Sequence, residues 1–195
     1  MNIWAYARIN TVNEKMLKKM KKAGINWLCY GIESGNQNVR TGVNKLGFGQ
    51  DLIRKVIKMT QEEGISILGN FIFGLPDDNL QTMQETLDLA KELNCEYANF
   101  YATMAYPGSR LYEEAVKKGL RLPKSWLGFA QLNEETFPIS TKYLSGSDVL
   151  RFRDKAFKEY YSRHEYLKMI EEKFGPEEVS HINEMLKYEI KRKLV

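Results

Sequence analysis

Residues 27–35 (WLCYGIESG) constrain the fold of this chain more than any other stretch. An apolar run leads into Gly31-Ile32-Glu33-Ser34-Gly35, so a strand is predicted to end in a polar tip. Continuous apolar runs of this length are typical of parallel strands that are covered on both faces. Two later runs, 65–74 and 97–106, end in a similar way. Because the carboxyl ends of parallel strands meet at one rim, the three tips predict a shared ligand site.

Helices are predicted between these strands, and each is followed by a glycine or an asparagine. The predicted strands are 3–9, 25–30, 65–73 and 97–106, and the predicted helices are 13–23, 50–63, 80–93 and 110–118. A strand and a helix that repeat every 30 to 40 residues or so indicate parallel β/α units. Four strands are too few to close a barrel, and no G-x-G-x-x-G follows the first strand. An open parallel sheet or part of a barrel remains.

The pattern changes after residue 119. Residues 120–144 read as an irregular segment with aromatic residues, and Ser145-Gly146-Ser147-Asp148 is predicted to cap a helix that runs to about Phe174. Pro176 suits the first turn of a last helix. The predicted organisation is therefore an α/β unit over residues 1–144 and a helical appendage over residues 145–195.

Composition excludes several classes of protein. No apolar run approaches the roughly 18 residues of a membrane span, and the start of the chain lacks the pattern of a signal peptide, so a cytoplasmic protein is expected. The net charge of +4 is assigned to solvated helix faces and not to a nucleic-acid interface. Cys29 and Cys95 are not in a C-x-x-C pair, so buried thiols are expected and no metal site is predicted.

Several short motifs carry a resemblance when they are taken in order. They are Arg8, Ala23-Gly24, Gly31-Ile32-Glu33-Ser34-Gly35, Lys45, Phe71-Ile72-Phe73-Gly74-Leu75-Pro76 and Tyr106-Pro107-Gly108-Ser109-Arg110-Leu111-Tyr112. This set resembles the radical S-adenosylmethionine (radical SAM) superfamily, and in particular its cobalamin-binding members of the anaerobic magnesium-protoporphyrin ester cyclase type. The resemblance implies that residues 1–144 are the second half of a partial TIM-type barrel, with its third to sixth strands.

The resemblance also implies a binding site for S-adenosylmethionine. Glu33 stands where a polar residue contacts the cofactor, Lys45 where a cation pairs with its carboxylate, and Asn70 where a side chain holds the ribose hydroxyls. The residues expected at the cofactor are Arg8, Glu33, Ser34, Lys45, Asn70, Ile72 and Tyr106. Four of the polar ones have a plainer interpretation as well: Glu33 or Ser34 as a helix cap, Lys45 as a surface lysine, and Asn70 as a structural hydrogen-bonding group.

The chain departs from the family pattern in one important respect. The family binds an iron–sulfur (4Fe–4S) cluster through C-x-x-x-C-x-x-C, and this motif is absent here, as is a cobalamin-binding domain. The resemblance therefore implies the C-terminal portion of a radical enzyme that needs a missing N-terminal half or a partner chain, with no catalytic residue identified. A non-catalytic module that docks through its open sheet edge is the alternative. A phosphate-binding barrel fragment is a third interpretation, against which the lack of a glycine-rich phosphate loop counts.

Overall fold

A computed structural model describes residues 1–42 and 48–195 of the chain. Its centre is a parallel four-stranded sheet in the order β1-β2-β3-β4. The strands are β1 (Ile3–Ala7), β2 (Ile25–Glu33), β3 (Ser66–Phe73) and β4 (Tyr97–Ala102). The prediction of successive parallel β/α units is confirmed, although the first and last strands are shorter than expected. β1 is shortened because the chain enters a 3-10 turn at Ile9–Thr11.

Eight α-helices connect and flank the strands in the described parts of the chain. They are α1 (Glu14–Lys22), α2 (Gln37–Gly42), α3 (Gln50–Glu62), α4 (Leu80–Leu93), α5 (Arg110–Lys117), α6 (Gly146–Tyr161), α7 (His164–Phe174) and α8 (Pro176–Lys187). The Asn79 side chain accepts from Thr82 N–H, and Ser145 accepts from Asp148 N–H, so two helix starts carry reciprocal capping boxes. No helix among the described residues is long and apolar enough to cross a membrane.

The single helix predicted to run to Phe174 is in fact two helices, α6 and α7. The break lies at Ser162-Arg163, and the Arg163 guanidinium donates to Lys91 O at 3.0 Å and to Asn94 Oδ1 at 2.7 Å. Tertiary contacts with the end of α4 thus hold the chain at a point where the sequence carries neither glycine nor proline. The boundary at residue 144 stays a prediction, and buried residues of α6 belong to the same core as the strands.

Helices cover one face of the sheet, whereas the other, the open face, is covered only over the middle of the two central strands, where Cys29 and Leu68 are buried. The expectation of strands covered on both faces therefore holds only there. Tyr30, Phe71 and Phe100 point to the covered face and are buried under the helices. On the opposite face Asn70 and Tyr101 are half-buried, and on β1 Tyr6 is 87% exposed. The open face is where a ligand can reach the sheet.

The two edges of the sheet differ. Along β4, the C=O groups of Ala98, Phe100 and Ala102 accept hydrogen bonds from the side chains of Tyr161, Arg153 and Gln131. The N–H groups of Ala98 and Ala102 donate to the oxygens of Tyr161 and Gln131. Side chains therefore close the β4 edge, whereas the outer edge of β1 has no such cover among the described residues.

Candidate functional site

A pocket of about 640 Å³ lies on the open face, at the carboxyl ends of β1, β2 and β3. Four of the residues predicted at the site line it: Arg8, Glu33, Asn70 and Ile72. They meet because each lies at or near the carboxyl end of a parallel strand, as the shared rim predicts. Tyr6, Thr11, Phe48 and Tyr101 also line this pocket, which we call the rim pocket. Sequence reasoning missed these four, although the alternation of Trp4, Tyr6 and Arg8 along β1 and just past its end could have indicated Tyr6.

Glu33 is held in a backbone conformation that disfavours most side chains. Its φ is 67°, in the left-handed region, and the register of β2 against β3 shifts between Gly31 and Glu33. Such a β-bulge re-aims the side chains at the end of a strand and is frequent next to active sites. A non-glycine residue with positive φ costs roughly 1 to 2 kcal/mol, so the rest of the fold sustains this conformation. With this bulge, Glu33 lines the rim pocket.

Asn70 combines both of the roles considered for it. Asn99 Nδ2 donates to Asn70 Oδ1 at 3.0 Å, and Asn70 Nδ2 lies 3.4 Å from Tyr30 O. Gly31 on β2 is the direct neighbour of Asn70 on β3. Because glycine has no side chain, it leaves the Asn70 amide open to the pocket. Asn70 is thus hydrogen-bonded and still lines the site.

Ser34 and Tyr106 are placed away from the rim pocket. Ser34 is buried, and its hydroxyl lies 3.1 Å from Thr86 Oγ1, which also accepts from Gly35 N–H at 2.8 Å. These contacts fasten the exit of β2 to α4. Tyr106 is 48% exposed, and its ring stacks on Phe129 at 6.1 Å between centroids. Neither residue lines the pocket, and Lys45 lies outside the described residues.

Arg40 is a buried cation that sequence reasoning did not identify. Its Nη1 donates to Ser34 O, whereas Nε and Nη2 have no hydrogen-bond partner in the described structure. Burial lowers the pKa of the guanidinium. The group sits 5.9 Å from the ring centroid of Phe48, which lines the rim pocket. Arg40 therefore ties α2 to the residue that follows β2 and places a positive charge beside Phe48 of the pocket lining.

The Gly74-Leu75-Pro76 motif turns out to be fixed by a buried carboxylate. Asp78 Oδ2 accepts from Gly74 N–H at 3.1 Å and from Leu75 N–H at 2.9 Å, while Oδ1 accepts from the Thr82 hydroxyl at 2.6 Å. Burial raises the pKa of Asp78, and these hydrogen bonds oppose the rise. A Cβ on Gly74 would lie 2.5 Å from Val149 Cγ1, so the motif also serves the packing of α6.

The described residues do not offer ligands for a metal or an iron–sulfur cluster. Among residues 1–42 and 48–195, no group of three or more His, Cys, Asp or Glu side chains is arranged to hold a metal ion. Cys29 and Cys95 are free and buried, and burial raises the pKa of both thiols. Thiolates are the cluster ligands, so these two cysteines do not fit that role.

Comparisons with known proteins show which family this chain resembles. The family model described as the radical SAM superfamily matches residues 6–90, which include all the described lining residues of the rim pocket except Tyr101. The chain is 30% identical over 159 residues to an uncharacterized methyltransferase, PH0819, from Pyrococcus horikoshii, and covers 34% of its length. It is 29% identical over 102 residues to the anaerobic magnesium-protoporphyrin IX monomethyl ester cyclase of Rubrivivax gelatinosus, of which it covers 18%.

A solved structure shows the same fold. The radical S-adenosylmethionine methyltransferase TsrM from Kitasatospora setae, with cobalamin and a 4Fe-4S cluster bound, superimposes with a TM-score of 0.58 at 16% identity. The match covers 78% of this chain and 30% of TsrM. The chain thus spans about a third or less of the relatives described here.

Proposed function

Because this chain belongs to the radical SAM superfamily, we propose that it forms part of an enzyme that reductively cleaves S-adenosylmethionine and then performs hydrogen abstraction or methyl transfer. The observation that carries the proposal is the convergence of Arg8, Glu33, Asn70 and Ile72 on one pocket inside the matched region. The full reaction also takes an iron–sulfur cluster and, in the cobalamin-binding subgroup, cobalamin. Their ligands are not among the described residues, so the chain's own contribution is to bind and orient S-adenosylmethionine.

The pocket chemistry suits an adenosyl sulfonium. Asn70 Oδ1 is occupied by Asn99, which leaves an Nδ2 hydrogen to donate to a ribose hydroxyl. Ile72 offers an apolar side chain to the adenine, and the Glu33 carboxylate complements the positive charge of the methionyl end. Lys45 is proposed to pair with the carboxylate of the cofactor, and Arg8 to contact the cofactor or the substrate.

Titration of this chain with S-adenosylmethionine, followed by saturation-transfer difference NMR, tests the proposal, because the method detects weak binding. We expect saturation of the adenine and ribose protons, and we expect Asn70→Leu to weaken binding about fivefold through the lost hydrogen bond. Asn183→Leu makes the same change at an exposed position of α8 and should leave binding unchanged. No transfer at millimolar ligand, or equal transfer in Asn70→Leu, would refute the proposed role of the pocket.

The open edge of β1 favours a second element of the proposal, a partner strand. Ile3 N–H donates to Gly24 O, so the neighbouring Trp4 and Tyr6 direct their backbone groups outward. Their side chains are 53% and 87% exposed on the open face. We infer that the missing N-terminal half, or a partner chain, adds a strand here. Because side chains close the β4 edge, an added strand can pair only with the β1 edge.

Self-association offers a direct test of that edge. In light scattering coupled to size exclusion, this chain should form concentration-dependent oligomers through β1, and Tyr6→Pro should abolish them by removing an outward N–H. Ala98→Pro removes an outward N–H of the closed β4 edge and should not have that effect, and circular dichroism checks that this variant folds. A chain that stays monomeric at high concentration and shows slow amide exchange at Trp4 and Tyr6 would contradict an open edge.

A further inference from the structure

A second cavity, of about 1080 Å³, runs along the closed edge of β4. Its walls are β4, α6 and the C-terminal segment 188–195, and we call it the β4 groove. Tyr101 lines both the β4 groove and the rim pocket, so the two cavities adjoin at this side chain. Cavities of several hundred Å³ are the size at which proteins hold small-molecule ligands. A molecule in the groove would therefore lie beside whatever occupies the rim pocket.

Large apolar side chains that are exposed to solvent line the β4 groove. The floor of the groove is the β4 edge. Its backbone C=O groups already accept hydrogen bonds from the side chains of Tyr161, Arg153 and Gln131, so they do not need a polar ligand as a partner. Four large apolar or aromatic residues that are 40% to 80% exposed line the groove, namely Tyr97, Leu132, Tyr188 and Val195. Clustered exposed apolar side chains mark interaction sites. The floor and walls thus favour an apolar body.

The negative side chains around the groove are all paired, whereas one of the positive side chains is not. Each side-chain carboxylate that lines it is in an ion pair: Asp154 with Arg192, Glu159 with Lys91, and Glu189 with Lys158. Arg192 also donates to Gln131 O, Asn133 O and Thr136 Oγ1, so its donors are used. Lys155, by contrast, is exposed and has no ion pair within the described chain. The uncompensated charge at the groove is positive.

We propose that the β4 groove binds the substrate of the reaction, an apolar molecule that carries an acidic group. The apolar body lies on the β4 edge, the acidic group pairs with Lys155, and the reacting carbon is presented past Tyr101 toward the rim pocket. That the bound molecule is the substrate rests on the proposed function. That the groove binds such a molecule rests only on the lining and the charge of the groove.

The test uses the whole chain and cis-parinaric acid, a fluorescent polyene fatty acid that combines an apolar body with a carboxylate. We expect saturable binding that Leu132→Glu weakens about tenfold, because it places a carboxylate in the groove, and that Lys155→Glu weakens about fivefold. Both side chains are exposed, so both variants should fold. The alcohol analogue of the probe should bind more weakly than the acid.

Two controls locate the binding. Lys55→Glu makes the same charge reversal on α3, and Leu80→Glu makes the same change as Leu132→Glu at the exposed start of α4; neither should change probe affinity. Equal affinity in wild type, Leu132→Glu and Lys155→Glu would overturn the proposal. Asn70→Leu should spare the probe and Leu132→Glu should spare S-adenosylmethionine. A chain that binds the probe in the groove but fails the S-adenosylmethionine titration would refute the proposed function and, with it, the substrate role.

Discussion

Asn99 on β4 donates from its side-chain amide to Asn70 Oδ1 on β3 at 3.0 Å. The two residues are direct partners in the parallel register of the strands. The bond fixes which end of the Asn70 amide faces the rim pocket, because the oxygen is already occupied. An amide that is oriented before the ligand arrives loses less conformational entropy on binding. Asn99 is therefore a positioning residue for Asn70.

Replacing Asn99 should weaken binding without unfolding the chain. In Asn99→Leu the Asn70 amide keeps only its 3.4 Å contact with Tyr30 O and is less firmly oriented, so we expect the affinity for S-adenosylmethionine to fall about threefold, less than in Asn70→Leu. The double variant should bind no worse than Asn70→Leu alone, since Asn99 acts only through Asn70. Ligand-observed NMR titration of the four proteins measures this. Additive losses in the double variant would assign Asn99 its own contact with the ligand.

The backbone at Glu33 predicts an unusual order of stability. Glu33→Gly and Glu33→Ala both remove the carboxylate, but only glycine adopts a φ of 67° without strain. We expect Glu33→Gly to be about 1 kcal/mol more stable than Glu33→Ala in urea unfolding, the reverse of the usual order inside a strand. Both variants should lose affinity for S-adenosylmethionine. An alanine variant that is as stable as the glycine variant would mean that β2 relaxes out of the bulge.

Sequence reasoning reached the parallel units and four of the pocket residues for physical reasons. Helical and strand periodicities are local, and the carboxyl ends of parallel strands share a rim whatever their side chains are. The positions of Ser34 and Tyr106 were beyond it, because they depend on partners far along the chain, Thr86 and Phe129. The break between α6 and α7 was missed for the same reason, since Arg163 is held by α4.

The open face of the sheet was missed for a different reason. An apolar run such as 27–35 predicts burial of the strand but does not say what covers each face. In the described chain the helices cover one face. On the other face Trp27 stacks between Trp4 and Phe174, with ring centroids 4.8 Å from Trp4 and 5.9 Å from Phe174.

The closed edge of β4 should be visible in stability. Arg153 is nearly buried, and its Nε donates to Phe100 O at 2.7 Å. Arg153→Met keeps most of the apolar contact but leaves that carbonyl without its partner, so we expect a loss of about 1 to 3 kcal/mol in the free energy of unfolding. Arg151→Met, on a side chain that is 58% exposed, should change it by less than about 0.5 kcal/mol. Equal effects in urea titrations would mean that water or Tyr161 replaces the lost donor.

Asp78 should make stability depend on pH in the direction opposite to a salt-bridged carboxylate. Burial raises its pKa above the ordinary value of 3.8, so between these two values the folded chain binds more protons than the unfolded chain. The free energy of unfolding therefore falls as pH rises from about 4 through the raised pKa, and the loss is complete above it.

Asp78→Asn keeps an oxygen for Gly74 and Leu75 N–H and does not titrate. Relative to this variant, wild type should lose stability as pH increases, measured by urea unfolding at several pH values between about 4 and 7. Asp88→Asn, at an exposed position of α4, provides the matched control. A difference between wild type and Asp78→Asn that is flat across this range would show that the hydrogen bonds from Gly74, Leu75 and Thr82 offset the burial of the carboxylate in full.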